Sequence, residues 1–309
     1  MKKLLVTLLI FIPFRQLHAQ NGMFSKQETD SLITEYCRVL NETYFNKALG
    51  KEITATLQKK LEAGDFYNVT QLTDRLSLLL RNITKDVHFY IGVNSPVATQ
   101  PAAGRETDDR NGGFSEVRML DDSIGYIKWN DFIADKRSFK KAVAALQFLH
   151  GCRYLIFDLS GCPGGDGRAG GFMNAHLFKD DDYQQVLRKR CGGESKWHRS
   201  EVPYNHAKGP KLYDVPIFVI VSGHTASAAE YFALTMKETK RGIVLGDTTA
   251  GAGNPSTIVT FGNYFACIPI CEIETRSGKS IEGKGVIPDV NLVSDDWLQE
   301  TLGYIQNRR

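Results

Sequence analysis

Val215-Pro216-Ile217-Phe218-Val219-Ile220-Val221-Ser222 runs into Gly223-His224-Thr225-Ala226-Ser227-Ala228-Ala229-Glu230, sixteen residues that pass from an apolar run to a small-residue turn. The first half is a short, uninterrupted apolar run rich in β-branched residues, which reads as a buried strand. The second half is small and leads into a helix from Ser227 to Lys237. A serine at such a junction is exposed at the sheet edge. The N–H of Ala228 lies where the positive end of the helix favours an oxyanion. Ser227 is therefore a candidate nucleophile. The competing reading is an N-cap serine, which strand-to-helix turns favour for reasons unrelated to catalysis.

A second strand-to-loop unit lies upstream. Leu155-Ile156-Phe157-Asp158-Leu159 leads to Ser160-Gly161-Cys162-Pro163-Gly164-Gly165-Asp166-Gly167 and another helix. Paired glycines after a strand let backbone N–H groups approach a substrate oxygen closely. The loop lacks a Walker lysine and the dinucleotide spacing, so a phosphate cradle is the weaker reading.

Outward from these units, strands and helices alternate. Strands are expected at 124–129, 154–159, 216–222 and 243–245, and helices near 138–149, after Gly167 and at 227–237. Such alternation predicts an α/β layer fold. Residues 257–281 read as further strands. Towards the N-terminus, Ser25 and Glu28 form a capping box for a helix over 26–45, followed by a helix ending at Gly64 and another ending before Asp86. Residues 94–113, with Pro96, Pro101, Gly104 and a charged run, show neither period and read as a linker. The expected organisation is a signal peptide at 1–19, a helical domain at 20–93, the linker, a larger domain at 114–295 and a tail at 296–309.

The signal peptide is read from Lys2 and Lys3, the apolar run Leu4–Phe14 and the small Ala19. That run covers about half of the roughly 20 residues a spanning helix needs, so no stable membrane span is expected after cleavage. Cleavage removes Lys2, Lys3 and Arg15 and no acid, taking 38 cations to 35 against 35 acids. A neutral chain lacks the basic footprint of a nucleic-acid binder. Six cysteines (Cys37, Cys152, Cys162, Cys191, Cys267, Cys271) would enter an oxidising compartment, periplasmic or extracellular, where disulfides are allowed. Their pairing stays open, although Cys267 and Cys271 lie too far apart along one strand to bridge each other.

The motifs together resemble the tail-specific, C-terminal-processing serine proteases. Leu155–Gly165 looks like the family's strand and glycine-rich oxyanion loop, Thr225–Glu230 like its serine motif and Gly246–Gly251 like the segment after the next strand. Ile281-Glu282-Gly283-Lys284-Gly285-Val286-Ile287-Pro288-Asp289 looks like its closing motif. The stretch ending in Asp86-Val87-His88 is similar to the N-terminal part of the branch that includes interphotoreceptor retinoid-binding protein. The resemblance covers residues 27–293. It implies a core related to the crotonase and Clp-protease folds, with no PDZ-like insertion apparent before Ile124.

In the lysine-dependent branch the base lies twenty-five residues after the serine, and that position here is Ala252. The resemblance to the tricorn protease core instead implies Ser227 as nucleophile, His88 as base and Glu282 as its support. The N–H groups of Ala228 and Gly164 or Gly165 would form the oxyanion hole. Imidazole suits the base role because its unperturbed pKa is near 6.5. This chain departs from the family in having Val87 where the tricorn-like branch has a serine, and Ser160-Gly161-Cys162 where relatives usually carry arginine and asparagine.

The implied function is a serine endopeptidase acting on a peptide or protein, with no cofactor and an oligomeric state left open. An esterase shares the same chemistry, and a binding protein for a hydrophobic ligand or peptide is the alternative on this fold. His224 rivals His88 in sequence, but three positions before the serine it is poorly placed to face the hydroxyl. His150, His176, His198 and His206 are expected at the surface. Asp180-Asp181-Asp182 reads as a solvated loop rather than a calcium site.

Overall fold

The computed structural model describes residues 23–94, 111–120, 123–199 and 207–308. The expected signal peptide, residues 95–110 of the expected linker and His206 lie outside them. In chain order the elements are α1 (Lys26–Thr43), α2 (Lys47–Glu62), α3 (Leu72–Thr84), β1 (Tyr90–Val93), β2 (Phe114–Leu120), β3 (Ile124–Trp129), α4 (Lys136–Phe148), β4 (Tyr154–Asp158), α5 (Gly167–Leu177) and a 3₁₀ turn (Asp182–Gln185). There follow β5 (Leu187–Cys191), β6 (His198–Arg199), β7 (Ile217–Val221), α6 (Ala228–Glu238), β8 (Gly242–Gly246), β9 (Ser256–Phe261), β10 (Tyr264–Pro269), β11 (Cys271–Thr275), β12 (Val290–Asn291) and α7 (Trp297–Gln306).

The chain divides into two units. Among the described residues, one comprises 23–94 together with Lys189–His198 and Asn254–Ile273; the other holds the remainder. In the N-terminal unit, α1 starts at a capping box: Glu28 N–H donates to Ser25 Oγ at 3.2 Å and Ser25 N–H to Glu28 Oε2 at 2.8 Å. Its 3.6-residue period places Leu32, Ile33, Tyr36 and Leu40 on one buried face. That face is not closed by helices alone. The antiparallel sheet β1-β10-β9 supplies Ile91, Ala266 and Ile268 to the same core, joined by Phe89 just before β1. The three helices therefore depend on strands that lie far along the chain.

The larger unit is built on a six-stranded sheet of order β12-β8-β7-β4-β3-β2. Pairing is parallel from β12 through β3, and only β2 runs antiparallel, against β3. All five residues of β7 are buried. Successive side chains point to opposite faces: Ile217, Val219 and Val221 enter the core under α4, α5 and α6, while Phe218 and Ile220 pack with Leu302 and Ile305 of α7. A sheet covered on both sides explains why the apolar run is continuous rather than alternating. Neither β2 nor α7 is marked in the sequence reading. A third sheet has the order β11-β5-β6. Where β5 meets β11, Cys191 is joined to Cys271 by a disulfide.

His176 corrects the sequence reading. It was expected at the surface, yet it is fully buried on α5 with Nδ1 2.8 Å from the Pro210 carbonyl oxygen. The α5 segment packs between α4 and α6, so its inward face takes even a histidine out of water. His150, His198 and His224 are exposed.

Candidate active site

Strands β4 and β7 are parallel neighbours, so the loops leaving their C-terminal ends emerge side by side. This edge of a parallel sheet is where ligands bind in open α/β folds. Three hydrogen bonds tie the two loops together. Ser222 Oγ donates to the Ser160 carbonyl oxygen at 2.5 Å, Thr225 Oγ1 to that of Leu159 at 2.7 Å, and Ala226 N–H to that of Cys162 at 3.0 Å.

Ser227 precedes the first residue of α6 and has φ 54° and ψ −123°. An ordinary N-cap is extended, as Ser25 is with φ −62° and ψ 162°. Ser227 instead occupies a region that residues with a Cβ seldom enter, at a cost of about 1–3 kcal/mol. Its N–H donates to Glu230 Oε2 at 2.8 Å, and the Glu230 N–H is taken by the Ser227 carbonyl oxygen at 2.9 Å.

Glu230 holds this turn in place. It is fully buried, and its carboxylate also accepts from Thr249 Oγ1, from Gly251 N–H at 2.8 Å and from Ala252 N–H at 2.8 Å. Burial raises its pKa, opposed by these same hydrogen bonds. Position 252 thus contributes a buried methyl group and a backbone donor.

Gly164 packs directly against the serine turn. A Cβ at this position would sit 2.5 Å from the Ala226 carbonyl oxygen, 2.9 Å from Ser227 Cβ and 3.0 Å from Ala228 N, and its φ is 97°. Only glycine fits both the space and the backbone angle. Gly165, at φ 126°, pairs with Phe132 and has no room for a side chain either. Phe132 is anchored by stacking on Trp129 at 3.8 Å and by an edge contact with Phe232 of α6. The aromatic cluster therefore fixes the glycine loop and the serine helix relative to each other. Cys162 lies in the same loop, but burial pushes its thiol up to about 12, which keeps it protonated and unreactive.

Of the expected site residues, Ser227, Ala228, Gly164 and Gly165 are thus brought together. Glu282 belongs to the same unit, where its Oε2 accepts from Gly253 N–H at 2.7 Å. His88 belongs to the N-terminal unit. It is buried, and its Nδ1 lies 3.0 Å from Asp86 Oδ1, which also accepts the His88 N–H at 2.9 Å. Asp86 Oδ2 accepts from Asn254 Nδ2 at 2.8 Å. Opposite a carboxylate, which only accepts, the His88 Nδ1 acts as the donor of this contact.

Three residues of these arrangements were not singled out from sequence: Asp86, Asn254 and Glu230. Asp86 stands two positions before the candidate histidine, a spacing that allows an Asx-type turn, and that was the available signal. Glu230 is the third residue after Ser227, the position from which a glutamate reaches back to a cap N–H. Nothing local marks Asn254.

A glycine loop and a strained serine turn, fixed side by side at the carboxyl edge of a parallel sheet, define the architecture. The chain belongs to peptidase family S41, whose pattern matches residues 123–292. It is 28% identical over 199 residues to a carboxyl-terminal-processing protease of Picosynechococcus sp., a match covering 64% of this chain and 42% of the relative. The chain spans less than half the length of the first curated relatives it matches. Two solved structures share the fold. A lipoprotein from Streptococcus agalactiae has a TM-score of 0.63 at 20% identity, covering 93% of this chain and 98% of that one. The tricorn protease has a TM-score of 0.59 at 13% identity, covering 92% of this chain and 37% of that one. The expected relationship to the tail-specific proteases and the expected α/β core are both borne out.

Proposed function

We propose that this chain is a serine endopeptidase working outside the cytoplasm on peptide or protein substrates. Ser227 attacks the scissile carbonyl, and the N–H groups of Ala228 and of Gly164 or Gly165 receive the oxyanion. His88 takes the serine proton and returns it to the leaving amine. Asp86 fixes the tautomer that leaves Nε2 basic, and Glu282 is the second acid of the site.

The observation that carries this reading is the backbone of Ser227. A binding protein gains nothing by holding a serine at φ 54° and ψ −123°, and strain of this kind collects where a side chain must be presented to a substrate. Ala252, standing where the lysine-dependent branch has its base, supports a histidine in that role. The Cys191–Cys271 disulfide suits an oxidising compartment, and no described helix is long and apolar enough to cross a membrane.

The direct test is a fluorophosphonate probe on the purified protein, followed by peptide mapping. Wild type labels at Ser227, and Ser227→Ala and His88→Ala lose both labelling and turnover by at least about 10³-fold. Asp86→Asn, which disturbs the tautomer, lowers kcat far more than it raises KM. Labelling elsewhere, or full turnover in Ser227→Ala, refutes the assignment.

A further inference from the structure

The loop that presents Gly164 continues into the wall of a separate cleft. Phe132 N–H donates to the Gly164 carbonyl oxygen at 2.7 Å, and Asp166 N–H donates to that of Phe132 at 2.7 Å. Beyond these contacts, the start of α4 and the start of α5 flank an open, shallow cleft of about 630 Å³. Its floor is apolar: Phe139 and Phe172 stack with ring centroids 4.2 Å apart and planes 12° from parallel, and Val143 lies beside them. Its rim is cationic, with Lys136 and Lys140 from α4 and Lys208 from the segment before β7.

The charges at this rim are unbalanced. Arg168 also lines the cleft, but it is consumed by a forked ion pair with Asp166. Asp135 is the one acid of the lining, and its carboxylate caps α4 by accepting the Ser138 N–H at 2.7 Å. Lys136, Lys140 and Lys208 form no salt bridge among the described residues. Lys136 and Lys140 are four apart on one helix, where like charges repel. An apolar floor under unpaired cations is complementary to a carboxylate carried next to an apolar group.

We propose that this cleft is a specificity subsite for an acidic side chain flanked by an apolar residue in the substrate chain. The proposal rests on the assignment of Ser227. Arg168 is only four residues beyond Gly164, so the cleft wall lies at most about 15 Å from the oxyanion loop along the chain, the reach of four or five extended residues. The rim lysines come from two separate segments, α4 and the stretch at 208, so a polypeptide passing between them meets cations on either side. An internal aspartate or glutamate fits that setting, because an endopeptidase substrate continues past the subsite.

The test measures binding separately from cleavage. Fluorescein-labelled peptides carrying Phe-Glu or Phe-Gln, each with an amidated or a free C-terminus, are titrated by anisotropy into the full chain and into Lys136→Gln/Lys140→Gln. The amidated Phe-Glu peptide binds about tenfold more tightly than Phe-Gln at low salt, and the preference fades with added salt. In the double variant it collapses, while the melting temperature is no lower than that of wild type, because both lysines are exposed and their mutual repulsion is removed. Equal binding of Phe-Glu and Phe-Gln, or a preference that survives the double substitution, overturns the proposal. A preference seen only with a free C-terminus overturns it in favour of a terminal carboxylate. Because anisotropy needs no turnover, a protein that discriminates the peptides but does not label at Ser227 refutes the peptidase reading and leaves the subsite standing.

Discussion

Two serines begin helices in this chain, and their backbones separate the two uses of the residue. Ser25 is extended, closes a capping box and stabilises α1. Ser227 has a positive φ, and its N–H is secured by Glu230 rather than by a relaxed turn. Such a backbone suits glycine. Ser227→Gly is therefore expected to melt higher than Ser227→Ala by the equivalent of about 1–2 kcal/mol, although both lose the hydroxyl. Denaturant unfolding of the two variants measures the difference, and equal midpoints would show that the turn stores no strain. At this scale the sequence was half legible. Gly164 and Ser227 announce themselves by residue type and position. Asp86 and Asn254 do not, because their pairing spans 168 residues and depends on how β9 is delivered to the N-terminal unit.

At the level of elements, apolar runs and helical periods carried most of the information. The buried strands β3, β4, β7 and β8 were readable because a sheet covered on both faces demands unbroken hydrophobicity. The short β6 was not, since its two exposed residues carry no period. Helix α7 escaped for a different reason: its buried residues Thr301, Leu302 and Ile305 are few, and they matter only against the sheet face that Phe218 and Ile220 present. The bridge between β5 and β11 was equally hidden, because four of the six cysteines remain free thiols and spacing does not choose the pair. That bridge spans 80 residues, and closing a loop of this length stabilises by about 4 kcal/mol through the unfolded chain. Cys191→Ser/Cys271→Ser is expected to lower the urea midpoint accordingly, and dithiothreitol should lower that of wild type to match. A double variant with unchanged stability would show that the bridge is not formed in solution.

For the molecule as a whole, acid stability is set partly by a histidine that takes no part in the proposed chemistry. His176 is buried against Phe172, its Nδ1 faces the Pro210 carbonyl oxygen, and its Nε2 has no hydrogen-bond partner among the described residues. Burial lowers its pKa below the usual value of about 6.5. The unfolded chain therefore takes up this proton first as pH falls. The stability associated with the neutral ring is fully present above about pH 6.5 and is lost as pH drops from there through the depressed folded value. His176→Gln should flatten the fall in melting temperature between pH 7.5 and 5, and an unchanged slope would exclude His176 as its source. Glu230 acts in the opposite sense. Its raised pKa favours the protonated form in the folded state, so its contribution declines as pH rises through the folded value.

The pairing of β1 with β10 has a consequence for the timing of folding. Tyr90 meets Cys267 and Val93 meets Tyr264, so the apolar faces of α1 to α3 are delivered long before the strands that cover them. At roughly 5–20 residues per second, the intervening stretch takes on the order of ten to forty seconds to emerge. Through that interval Leu32, Ile33 and Tyr36 lack the strands that complete their core. The nascent N-terminus thus carries an unfinished core until β9 and β10 emerge, and a chain that stops short of Ser256 lacks the strands that complete its first unit.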